Sequence, residues 1–89
     1  MHSPLELQSA RQLLLYLLRS SGFYVHMHAY EFLLGYDGRL IGVLLLEPSR
    51  RKATLYANEG LTSQEAIKKL KGVLRQVDPA LLLSVIHKG

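Results

Sequence analysis

The sequence predicts a small α/β domain in which two helices flank a mixed β-sheet. Two amphipathic stretches with helical spacing bracket a series of strand patterns, and the turn dipeptide Asp37–Gly38 separates two of those strands. A last apolar segment follows the second helix, where a right-handed crossover places it parallel to an earlier strand. The predicted order is helix, three strands with a short fourth, helix and strand. All 89 residues are expected to form this one domain.

The first helix is expected to begin near the N-terminus. The segment Ser3–Glu6 combines an N-cap serine, a proline at the first helical position and a glutamate at the third. The helix should end at Ser21–Gly22. Leu13 and Leu15 widen its apolar stripe beyond what one sheet face requires, so one flank of the helix is expected to meet another subunit.

Three strands are expected to follow. Apolar and polar residues alternate over positions 23–28, which is typical of a half-buried strand. Tyr30–Gly35 and Arg39–Glu47 form the next two strands, joined at Asp37–Gly38. Because Leu40–Leu46 is apolar at nearly every position, this strand should lie in the centre of the sheet.

The rest of the chain predicts a strand, a helix and a strand. Pro48–Lys52 is a basic turn that leads into a short strand at Ala53–Ala57. Thr62–Glu65 has the spacing of a capping box and begins the second helix, which Asp78–Pro79 ends. Leu81–Ile86 is expected to be a fully buried final strand.

Composition narrows the classes of function. The net charge of +4 favours a polyanionic partner, for which we expect nucleic acid. A hydrophobic content of 48% in so short a chain favours a homodimer. The absence of cysteine excludes disulfides and thiolate metal sites, and no apolar run is long enough to span a bilayer. The protein is expected to be cytoplasmic, and no phosphate loop or dinucleotide motif indicates a cofactor.

A family resemblance runs through most of the chain, roughly from residue 9 to residue 87. The stretches that carry it are Arg11–Val25, Glu31–Gly35, Asp37–Ile41, Ser49–Lys52 and Leu55–Tyr56. In their order and local sequence, these stretches resemble the archaeal Holliday junction resolvases, which have the restriction-endonuclease-like fold. The resemblance implies that fold and a DNA partner.

The residues at the expected catalytic positions differ from that family. There, an aspartate, the glutamate of a Glu-x-Lys motif and often a helical glutamate bind a divalent metal, while the lysine positions or activates water. The resemblance places Glu31 at the aspartate, Leu45 at the glutamate, Glu47 at the lysine and Arg11 at the helical glutamate. One ligand of three is retained in kind, so the resemblance implies a degenerate nuclease scaffold without catalysis.

The register of the hairpin bears on any remaining metal chemistry. With a two-residue loop at Asp37–Gly38, Glu31 lies on the side of Leu44 and Leu46, while Glu47 points the opposite way. A three-residue loop with a bulge shifts the pairing by one residue and brings both carboxylates to one face. Only the second register allows the two to share Mg²⁺.

Two further groups of residues are candidates for binding. His26 and His28 lie on one face of a strand, where they either join a third ligand around a metal or form a polar or interface surface. The candidates for phosphate contacts are the basic residues of one turn and one helix face, Arg50, Arg51, Lys52, Lys68, Lys71 and Arg75.

Three hypotheses of function follow. The leading one is a small dimeric nucleic-acid-binding protein on a degenerate, inactive nuclease scaffold. The second is an active metal-dependent nuclease that uses Glu31 and Glu47 with Mg²⁺, which is the one case in which a cofactor is expected. The third is a homo-oligomeric protein-interaction module that binds no nucleic acid.

Overall fold

The fold is a single five-stranded sheet with two helices. A computed structural model describes residues 3–88. The elements in chain order are α1 (Gln8–Ser20), β1 (Phe23–His28), β2 (Glu31–Tyr36), β3 (Arg39–Glu47), β4 (Lys52–Asn58), α2 (Gln64–Val77) and β5 (Leu82–Lys88). The strands lie in the order β1-β2-β3-β4-β5, with β4 and β5 parallel and all other pairs antiparallel. The α/β class, the mixed sheet, the parallel last strand and the central position of β3 are confirmed.

Both helices lie on the same side of the sheet, where they contact each other. Their buried leucines, such as Leu14 and Leu70, share one core with Phe32 and Leu55 of the strands. The side chains that point the other way form what we call the open face, whose aliphatic members are Leu33, Leu40, Val43, Leu45, Leu82 and Ile86. No helix within residues 3–88 covers this face, so the helices flank the sheet on one side only and the described structure has two layers.

The beginning of α1 differs from the prediction. Ser3 caps a separate 3-10 turn over Pro4–Glu6, and its hydroxyl accepts a hydrogen bond from the backbone N–H of Leu5 at 3.2 Å. The α-helix itself begins at Gln8, after Leu7, which gives no side-chain cap. The predicted capping pattern therefore exists, but it begins this short 3-10 turn and not the long helix.

The beginning of α2 also differs by one residue. Ser63 is the N-cap, and its hydroxyl accepts from the backbone N–H of Ala66 at 3.1 Å. Thr62 instead donates its hydroxyl proton to the carbonyl of Ile41 at 3.0 Å. The threonine thus fastens the loop before α2 to the central strand.

The prediction that the last strand is fully buried is wrong. β5 is an edge strand, and Leu82 and Ile86 are 69% and 46% exposed. Leu83 and Val85 point the other way and pack against the core. The continuous apolar run reflects two apolar faces of which the described chain covers only one.

A β-bulge in β3 sets which residues share a face. Tyr36 pairs with Arg39, so the loop has two residues, Asp37 and Gly38, with φ values of 53° and 75°. The next pair along the strands is Gly35 with Leu40. The following pair is Leu34 with Gly42, which leaves Ile41 as an extra residue in β3. Of the two registers that the sequence leaves open, the shifted one is therefore present beyond the bulge, and it occurs with a two-residue loop.

The bulge requires glycine at position 42. The backbone φ of Gly42 is 146°, a value that residues with a Cβ rarely adopt. A Cβ at this position would also overlap the carbonyl oxygen of Tyr56 on β4. We expect Gly42→Ala to lower the free energy of unfolding by about 3 kcal/mol or more, as measured by urea denaturation. Gly72→Ala is the matched control, because nothing lies within 4 Å of a Cβ at that helical position. That change should instead stabilise α2 by about 0.5–1 kcal/mol, and equal effects at both glycines would contradict the role of the bulge.

Candidate functional site

The two candidate catalytic carboxylates lie on the open face. Past the bulge, Glu31 pairs with Leu45 rather than Leu44. Glu47, two residues beyond Leu45, therefore projects from the same face as Glu31. The two residues are diagonal neighbours in the sheet, a position in which Cα atoms are about 7–8 Å apart. The register that a shared metal requires is present, and a bulge within the strand produces it rather than a longer loop.

Basic side chains lie next to these two carboxylates. Glu47 pairs with Lys52 of β4 and lies 4.0 Å from the guanidinium of Arg50. Across from Glu31 on β1 is His28. Within the described residues 3–88, no group of three histidine, aspartate or glutamate side chains is placed to hold a metal ion.

Arg11 has a structural role at the position where the resemblance places a helical glutamate. Its guanidinium donates to the carbonyls of Leu5 and Glu6, at 2.9 Å each, and lies 4.2 Å from the centre of the Tyr30 ring. These contacts tie the N-terminal turn to the loop between β1 and β2. An open pocket of about 470 Å³ lies beside them, with Glu31 in its wall.

The two candidate histidines lie on the outer edge of the open face. His26 pairs with Leu33 and His28 with Glu31, and both imidazoles are exposed. Neither belongs to a three-ligand cluster in the part of the chain that the structure describes. They form a polar margin next to the aliphatic centre of that face.

The basic turn after β3 does not form one cationic surface. Arg51 turns inward: its Nε lies 3.4 Å from the carboxylate of Asp78, which is fully buried at the end of α2. Arg50 is exposed, with 70% of its side chain accessible, while Lys52 points to the open face opposite Glu47. The three neighbours in sequence therefore have three different environments.

The basic stripe of α2 is accessible. Lys68, Lys71 and Arg75 are exposed and lie opposite the buried side of the helix, which carries Leu70 and Leu74. Among the ion pairs of residues 3–88, none involves these three side chains. Of the six predicted phosphate contacts, these three share one surface.

A polar contact between the hairpin and α2 was not predicted from the sequence. The hydroxyl of Tyr36 donates to the carboxylate of Glu65 at 2.6 Å, and the ammonium of Lys69 lies 5.2 Å from the centre of the Tyr36 ring. Tyr36 raises the pKa of Lys69 above its ordinary value, with a smaller contribution from Glu65. Lys69 is thus held against the hairpin, beside the stripe but not part of it.

The fold and the site define a two-layer α/β protein with a cationic helix surface and an uncovered sheet face. Comparison of the chain with protein families, with curated proteins and with solved structures finds no match. Among the described helices, none is both long and apolar enough to cross a membrane. The resemblance to junction resolvases stays a prediction.

The Arg51–Asp78 pair should matter for stability more than for binding. Arg51→Ala leaves a buried carboxylate without its cation, and we expect the free energy of unfolding to fall by about 3 kcal/mol. Arg50→Ala, which removes the same charge from an exposed position, should cost less than about 0.5 kcal/mol. Thermal and urea unfolding of both variants would test this difference, and similar small losses would show that the buried pair is not structural.

Proposed function

We propose that the protein binds the phosphate backbone of nucleic acid, with DNA as the preferred partner, through the exposed face of α2. The observation that carries the proposal is the stripe of Lys68, Lys71 and Arg75, none of which has an ion-pair partner within residues 3–88. From Lys68 to Arg75 the helix rises about 10 Å, the length over which one strand of B-DNA presents about three phosphates.

The surroundings of the stripe favour this use. At the end of α2, the carboxylate of Asp78 is fully buried and lies 3.4 Å from the Nε of Arg51, so it does not reach the surface beside Arg75. At the other end of the helix, the carboxylate of Glu65 accepts a hydrogen bond from the hydroxyl of Tyr36. Contacts of lysine and arginine with phosphates carry no sequence information, so the proposed binding is independent of base sequence.

Removal of the stripe should weaken binding in a salt-dependent way. For the variant Lys68→Ala/Lys71→Ala/Arg75→Ala, the plot of log affinity for duplex DNA against log salt concentration should become less steep by about 2 to 3, because fewer counterions are released. Fluorescence anisotropy over a salt series measures this slope. Lys52→Ala is the control, since that cation lies on the open face. The proposal fails if the triple variant and the control bind like the wild type.

The scaffold is proposed to lack nuclease activity. Glu31 and Glu47 share a face, but Leu45 stands between them where the resemblance calls for a metal ligand, and Glu47 stands where it calls for lysine. We expect no cleavage of branched or single-stranded DNA with Mg²⁺ or Mn²⁺ in a gel assay. Metal-dependent cleavage that disappears in Glu31→Gln would instead establish the nuclease hypothesis.

A further inference from the structure

We propose that the open face is the interface between two copies of this chain, packed sheet against sheet as in a β-sandwich. This inference concerns self-association and does not depend on the proposed binding of nucleic acid. It changes the expectation from the sequence, which placed the subunit contact on a flank of the first helix.

The open face has an apolar row that crosses most of the sheet. An antiparallel sheet with one free side normally presents polar residues there. Here a row of Leu33, Val43, Tyr56 and Ile86 runs without interruption across four neighbouring strands, from β2 to β5. Next to this row lies Leu40, which is 47% exposed. An apolar patch of this extent on a charged protein is typical of a surface that another protein covers.

The size of the open face follows from the dimensions of the sheet. Five strands about 4.8 Å apart, with about six residues each at 3.3 Å per residue, give a face of about 24 by 20 Å. Its plan area is then about 500 Å², and its accessible area is greater because the surface is corrugated. A standard interface buries about 800 Å² on each partner. The face of a second copy has the same dimensions, so neither face in such a dimer is larger than the other.

The charged residues of the open face are of both signs. The open face combines Glu31 and Glu47 with Lys52 and Lys88, so two such faces meet with no excess of either sign. Two α2 surfaces would instead bring like charges together, which opposes association. The carboxylates also make the open face a poor surface for phosphates. A second copy of the chain is therefore the occupant that the composition of the face favours.

The arrangement is compatible with the cationic helices. Both helices lie on the side of the sheet opposite the open face, so in this dimer the two α2 surfaces point outward. Each copy keeps Lys68, Lys71 and Arg75 accessible to solvent. Dimer formation therefore does not compete with a ligand on α2.

A matched pair of surfaces tests the inference. Leu82 and Ile86 are exposed on the open face, and Leu13 is 49% exposed on α1. We would compare Leu82→Lys and Ile86→Lys with Leu13→Lys by sedimentation equilibrium in the absence of nucleic acid. Each of the three changes introduces one lysine at an exposed aliphatic position. Circular dichroism melting would establish that all three variants are folded.

The wild type is expected to dimerise, and the two changes on the open face should each raise the dimer dissociation constant at least about tenfold. Leu13→Lys should leave it within a few-fold. A wild-type protein that stays monomeric to millimolar concentration would overturn the proposal, and so would dissociation caused by Leu13→Lys alone.

A second measurement needs no variant. Amide shifts of the wild type recorded over a concentration series should move for strand residues around Val43, Tyr56 and Ile86 and should stay constant on α1. Concentration-dependent shifts confined to α1 would overturn the proposal even if the substituted proteins failed to fold.

Discussion

The bulge at Ile41 in β3 is the constraint on which the rest of the structure depends. Because side chains alternate between the faces of a strand, one extra residue reverses the facing of every later position. Leu44 and Leu46 thereby enter the core, while Val43, Leu45 and Glu47 turn to the open face. Gly42 permits this reversal, since a side chain there would overlap the carbonyl of Tyr56. The position of the carboxylates and the composition of the open face both follow from one local feature of the backbone.

The molecule therefore has two chemically different sides. On one side, α1 and α2 cover the core and present cations to solvent, and the buried contact of Arg51 with Asp78 fastens the end of α2 to the turn between β3 and β4. On the other side, aliphatic residues are exposed on a sheet that the described chain leaves uncovered. The first side suits a polyanion and the second suits another protein surface, so the two proposals use different parts of a small protein without conflict.

Local patterns in the sequence predicted the elements well and their environments less well. Alternation and the Asp37–Gly38 turn identified the strands, and the apolar run in β3 identified the central one, because these signals depend on near neighbours. The bulge depends on how closely β3 approaches β4 at Gly42, and the environment of Arg51 depends on a carboxylate 27 residues away in sequence, Asp78. Likewise, the apolar sequence of β5 is the same whether both faces of the strand are buried or one face is exposed. Arg50, Arg51 and Lys52 therefore look like one basic cluster in the sequence, although the fold separates them.

The register of β2 against β3 is the most direct test of this account, since it determines which side chains form the open face. Cross-strand nuclear Overhauser effects measure it without any substitution. We expect contacts that pair Glu31 with Leu45 and Leu34 with Gly42. Contacts that pair Glu31 with Leu44 and Leu34 with Ile41 would mean an uninterrupted hairpin and would contradict the arrangement of both faces.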